Sequence, residues 1–219
     1  MPLPILHTYA GYLVDELASP KLPADGDVKR RNRFCWKTLL FIFTFSNLPD
    51  LDYLPGIALG KTALFHHGPS HSLFGALIVG LLSALTLKFF WGACFTTMAK
   101  RISALYASHV VLDYFSIRHS VPLLWPLSDH RFGSSSGLLT GAGMNTNHAH
   151  GILGFIDAIH SWSCFQRILL EILLIAIAFG ALWLYRKLCK FASHPTAALS
   201  TGAVLGMFLW AYKHWIVAL

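Results

Sequence analysis

The chain has 219 residues, of which 55% are hydrophobic and 12% charged, and its mean hydropathy is +0.55. Soluble domains carry about a quarter charged residues, so this composition excludes an ordinary soluble domain and points to a membrane protein. The formal charge of +7 comes from 17 Lys and Arg against 10 Asp and Glu. Because the basic residues cluster in short segments between apolar runs, a membrane surface accounts for them better than nucleic acid does.

In chain order, the first apolar stretch, 3–18, is short and holds His7. No basic region precedes it, so a cleaved signal peptide is not expected. The stretch 39–48 has about ten apolar residues, too few to span unaided; it spans if extended back through Phe34 and Trp36, and is otherwise a tucked helix. By contrast 70–90, 168–185 and 197–219 are each long enough to cross a bilayer as a helix. Residues 102–115 are apolar but fewer, and carry His109 and Asp113, which are costly among lipids. The polar piece 116–161 is rich in Gly, Ser, Asn and His. The reading is an all-α, multi-pass transmembrane bundle of about five or six helices. Residues 1–135 form its helical membrane core, and 136–219 add a polar loop and C-terminal transmembrane helices to the same domain. Cys35, Cys94, Cys164 and Cys189 include no CxxC pair, so neither a disulfide framework nor a cysteine zinc site is indicated.

The basic residues orient this bundle. Twelve of the 17 Lys and Arg lie in the odd-numbered connections: six at 21–37, three at 88–101 and three at 186–190. Positive loops favour the cytoplasm. With the odd connections inside, His7, the segment "PDLD", the segment "HHGPSHS" and the Asp113 end of the fourth helix all fall at the non-cytoplasmic face.

These segments carry the candidate chemistry. In "SHVVLD", His109 and Asp113 are i and i+4, so they share one helical face about 5–6 Å apart at Cβ. That lets an imidazole and a carboxylate reach one metal ion, or simply pair to tie helices together. In "PDLDYLPG", Asp50 and Asp52 stand two apart between prolines, and can address different partners or form a solvated acidic turn. "HHGPSHS" places His66, His67 and His71 within six residues, with Ser70 expected to cap the following helix and His71 in its first turn. The positive end of a helix dipole disfavours imidazolium, and neutral imidazole is the metal-binding form. His7, Asp50, Asp52, His66, His71, His109 and Asp113 together make a sulfur-free N/O set. It suits a divalent ion, Zn²⁺ first, with Mn²⁺, Fe or Ni compatible.

The order "H … PDLD … HHGPSHS … SHxxxD … VPLLWPLSDHRF" resembles the YdjM-type membrane-bound metal-dependent hydrolases, also described as LexA-binding and inner-membrane-associated, over roughly residues 1–135. The resemblance implies that those seven residues form the site, and it singles out Trp125 and Pro126. Where the family commonly has Arg, this chain has His67, so a fixed positive charge gives way to a titratable group. A shorter similarity of ligand order reaches zinc-dependent phospholipase C and the S1/P1 nucleases, and suggests phosphoester hydrolysis.

The functional expectation is a metal-dependent hydrolase of the bacterial inner membrane, acting through metal-activated water on a phosphoester or other ester, including lipid-derived ones. Asp52 is a bridging ligand or general base, His7 a further ligand, and Arg131 a group that offsets developing negative charge. Trp125 suits the headgroup level. His148 and His150 are either additional ligands or loop histidines. The alternatives are a membrane protein that holds a metal for structure or passage, and a regulatory protein whose basic segment 29–37 touches an acidic partner or DNA. Topology and anionic lipids explain that segment more simply.

Overall fold

The computed structural model describes residues 4–18, 36–61, 65–115, 120–133, 153, 156–157, 160 and 162–188. The expected span 197–219, His148, His150 and the basic residues 21–33 lie outside the described residues. What is described is helical. Helix α1 is Pro4–Ala18, and α2 is Trp36–Asn47, which tightens into a 3₁₀ turn at Leu48–Asp52 and then the short α3, Tyr53–Ala58. A second 3₁₀ turn, Pro69–His71, leads into α4, Leu73–Trp91; α5 is Phe95–Tyr114 and α6 is Trp162–Leu188. The isolated bridge between Val121 and Phe132 is the only β pairing among the described residues.

Helix α4 is the one described helix long and apolar enough to cross a membrane. Its exposed faces carry Leu77, Ile78, Leu81, Leu82 and Leu85, while it buries only Ala76, Gly80 and Ala84. Small residues four apart let two helix backbones approach closely. The approach here is to α5: a Cβ added at Gly80 would overlap the Ser103 hydroxyl. Gly92, in the left-handed conformation at φ 65°, ends α4.

Helix α5 is as long as a span but interrupted by Lys100, Arg101, His109 and Asp113, so it does not reach the apolarity of α4. It is the central helix, packed against α1, α2 and α4. Its buried residues Ala99, Ile102, Leu105, Tyr106, His109, Val110 and Asp113 recur at three- and four-residue intervals, one stripe facing inward. The metal-type side chains continue the stripe that packs the core. At the far end of the same helix, Arg101 makes a forked pair with Asp15 of α1, Nε to Oδ1 at 2.5 Å and Nη2 to Oδ2 at 2.9 Å, with its guanidinium 4.7 Å from the centre of the Phe41 ring of α2. Glu171 of α6 is fully buried and accepts from the Leu6 amide in the first turn of α1 at 3.3 Å. A carboxylate there satisfies an amide that has no partner within its own helix and suits the positive end of its dipole.

Candidate metal centre

The end of α2, the start of α4, the end of α5 and the early part of α1 meet on one side of the bundle. The 3₁₀ turn at Leu48–Asp52 has about three residues per turn, so Asp50 and Asp52 face different neighbours. Asp50 Oδ1 is 3.3 Å from His109 Nε2 and 3.6 Å from His71 Nε2. Asp52 instead accepts from His66 Nδ1 at 2.8 Å, from the Ser70 hydroxyl at 2.6 Å and from His71 Nδ1 at 3.1 Å. Asp52 thus stands behind two imidazoles and fixes their tautomers.

Ser70 does not cap the helix, as its place beside the apolar run suggests. Ser72 does: its hydroxyl accepts from the Gly75 amide at 2.9 Å and donates to the Pro69 carbonyl at 2.7 Å. Moving the cap by two residues frees Ser70 for Asp52 and puts His71 in the 3₁₀ turn before the helix. Tyr106 of α5 holds this turn by donating to the Ser70 carbonyl at 2.9 Å.

His109 Nδ1 lies 2.7 Å from the Ser46 carbonyl. A carbonyl only accepts, so Nδ1 carries a proton, and Nε2 is the nitrogen left to ligate. The His71 ring is held the same way through Nδ1 by Asp52. In known metal sites the second ring nitrogen is oriented by such a carboxylate or carbonyl. The two Nε2 atoms are 3.3 Å apart, and Asp113 Oδ2 is 3.2 Å from His71 Nε2 and 3.3 Å from His109 Nε2. Ligands about 2.0–2.1 Å from a tetrahedral zinc stand about 3.3 Å from one another. Five separations among Asp50, His71, His109 and Asp113 fall at 3.2–3.6 Å, so these four side chains fit a single small dication.

Hydrogen bonding points the same way. Both carboxylate oxygens of Asp50 and of Asp113 are buried without a hydrogen-bond partner, although imidazole nitrogens stand near them. Buried carboxylates left this way cost several kcal/mol, on the order of 1–3 kcal/mol or more for each group. Both ring nitrogens of His7 share the condition. His7 is fully buried, 3.7 Å from Asp113 Oδ1, but its ring lies flat on His109, centroids 3.6 Å apart and planes 15° apart. It therefore borders the four without joining their close-packed set.

His66 stacks on Tyr53 at 3.8 Å between ring centroids. His67, to which the sequence assigned no role, is buried with Nε2 3.5 Å from Asp113 Oδ2. It adopts φ 59°, the left-handed region uncommon for a residue with a side chain. His66, His67 and His71 form a second group with metal-type spacing. The doubled histidine before Gly68 was the available signal. The Ser46 carbonyl had none, because backbone groups leave no mark on residue identity.

Charges in the two turns follow from this packing. Burial alone would raise the carboxyls of Asp50 and Asp52, but the imidazoles around them hold both well below the usual carboxylate range. Burial pushes His67 down to about 3. Burial also opposes a charge on His71, yet Asp113, Asp50 and Asp52 together raise it well above the ordinary imidazole value.

Arg131 is exposed and bonds through Nη1 to the Ser120 carbonyl of its own loop at 3.1 Å, and touches none of the histidine and aspartate groups. That loop is nonetheless fastened to the start of α4, where the Leu73 amide donates to the Leu123 carbonyl at 3.0 Å.

A family model described as YdjM inner membrane protein matches residues 2–190. The chain belongs to the YdjM inner membrane protein family. No curated protein and no solved structure matches it. Membership covers the four helix ends that build the cluster and extends well past residue 135, through all of α6. In an inner membrane protein, the apolar faces of α4 have lipid as their natural solvent.

Proposed function

We propose that this chain is a multi-pass, metal-dependent hydrolase of the inner membrane, with its site toward the non-cytoplasmic face and a phosphoester, including lipid-derived ones, as its substrate class. The observation that carries this reading is the near-tetrahedral spacing of Asp50, His71, His109 and Asp113 around buried oxygens that lack hydrogen-bond partners. Such a donor set suits zinc first, and manganese, iron or nickel as well. A dication bound there supplies Lewis acidity toward a phosphoryl oxygen and brings the pKa of water toward neutrality.

The chain's own residues do the rest. Ser46 and Asp52 hold the imidazoles of His109 and His71 in the tautomers that present Nε2. Tyr106 fixes the turn carrying His71. Arg131, on the loop tied to α4, is the cationic group of that loop available to a substrate phosphate. The position of the cluster just before the apolar α4 supports a substrate that arrives from the lipid boundary.

A second reading rests on the same four residues. A shell filled by four protein ligands is the arrangement of structural sites, whereas catalytic sites keep a position open. Detergent-purified protein should contain divalent metal, and hydrolyse a phosphodiester or phospholipid in a chelator-sensitive manner. Metal without turnover on any ester would favour the structural reading, and metal-free protein would remove both.

A further inference from the structure

We infer that the loop 120–133 docks on the bilayer surface, with its tip in the acyl boundary and Arg131 against the phosphate of a membrane phospholipid. The inference rests on the membrane location of the family and not on the metal reading, so it holds whatever the centre does. The loop is a built structure. Val121 and Phe132 close its base with two backbone hydrogen bonds, at 2.8 and 2.9 Å. Val121 is fully buried and packs with Ala76 of α4 and with Tyr106 and Val110 of α5. The tip is wound tightly: the Trp125 amide donates to the Pro122 carbonyl at 3.0 Å, and the Leu127 amide to the Leu124 carbonyl at 2.8 Å.

That frame turns apolar side chains outward. Leu127 is 90% exposed and Leu124 46%, with Pro126 exposed between them. A single exposed leucine needs no explanation, but a hydrogen-bonded turn that holds two leucines and a proline out of the core is a contact surface. Where the loop is tied decides what covers it. The Leu123 carbonyl accepts from the Leu73 amide in the first turn of α4, the helix long and apolar enough to span. The tip therefore stands where the lipid-facing surface of α4 begins, and continues it. The stem has the matching polarity, with Asp129, His130 and Arg131 exposed. Arg131 makes no ion pair among the described residues, and uses one of its five N–H donors, through Nη1, on the Ser120 carbonyl. The rest of its planar fork suits a phosphate. Asp129 keeps the stem near neutrality, so the contact needs no excess of anionic lipid. An apolar tip beside a cationic stem is the pattern of interfacial anchors. The anchor is also joined to the turn that carries His71, because Tyr106 both packs with Val121 and donates to the Ser70 carbonyl.

The test is the depth of the tip, with no dependence on metal or turnover. An environment-sensitive fluorescent amino acid replaces Leu127 in the full-length chain, which is reconstituted into phosphatidylcholine vesicles. Its emission should be quenched by phospholipids brominated high on the acyl chain and left unchanged by acrylamide in the water. Arg131→Glu in the probed chain should reverse this, lowering bromine quenching and raising acrylamide quenching at an unchanged thermal midpoint. Arg131→Gln, which keeps a donor for the Ser120 carbonyl, should give a smaller change in the same direction. Excess inorganic phosphate should leave the wild-type tip where it is. A tip open to acrylamide would put it in water, and a tip shielded from both quenchers would put protein on it; either result overturns the anchor. A lipid-buried tip that Arg131→Glu does not move, or one that free phosphate releases, would overturn the contact with the lipid phosphate.

Discussion

The two ends of α5 solve the same problem differently. Near its start Arg101 meets Asp15 in a forked pair, and each charged group has its partner within the chain. Near its end Asp113 is fully buried and Asp50 nearly so, yet their oxygens stand among imidazoles without hydrogen bonds. Both ends join α5 to α1, and both draw in α2. The first is a finished contact that holds helices together. The second is a set of donors spaced for something the chain does not supply. Burial of charge alone does not mark a functional site; the mark is charge whose partners are incomplete.

Four substitutions sharpen or break that contrast. The largest effect belongs to Asp113→Asn, which should abolish stoichiometric metal retention, measured by elemental analysis after gel filtration. Asp52→Asn removes the carboxylate behind His66 and His71 and should weaken metal affinity about 10–100-fold, read by competition with a chelating dye. Arg101→Met should lower stability by roughly 1–2 kcal/mol, an intermediate figure because the guanidinium is partly exposed, while metal content stays at the wild-type level. A loss of metal in Arg101→Met as deep as in Asp113→Asn would mean the two ends are one cooperative unit, and the contrast would fail. Smallest is Ser72→Ala, which removes the α4 cap and should cost about 1 kcal/mol, seen as a modest drop in thermal midpoint.

Much of the helical order was legible because it depends on periodicity. The apolar run at 70–90 became α4 with a three-residue shift at its start, since Ser72 rather than Ser70 accepts from the helix amide. His109 and Asp113 were legible as a pair because i and i+4 residues share a face on any helix. For Asp50 and Asp52 the two-residue separation allowed different partners or a solvated acidic turn, and left both open. Which of them faces the ligand cluster was not legible, because it depends on the pitch of the 3₁₀ turn. His67 escaped because its orientation comes from a left-handed backbone angle, which no pattern of side chains specifies. The flat stacking of His7 on His109 is likewise a tertiary fact. How many helices cross the membrane is not decided by apolar length alone: α4 meets that test, while α5 carries its polar stripe inward and does not.

The close seam between α4 and α5 has a consequence at a distance. Gly80 sits nine positions beyond His71, roughly 13 Å along the chain axis at about 1.5 Å per residue, and has no ligand atom of its own. Yet with Ser103 where its side chain would be, a single added methyl must prise the two helices apart or slide one along the other. His71 stands just ahead of one helix and His109 and Asp113 ride on the other, so the seam acts as a ruler that sets their spacing. Gly80→Ala should therefore weaken divalent-metal retention, read by elemental analysis, from a position midway along α4.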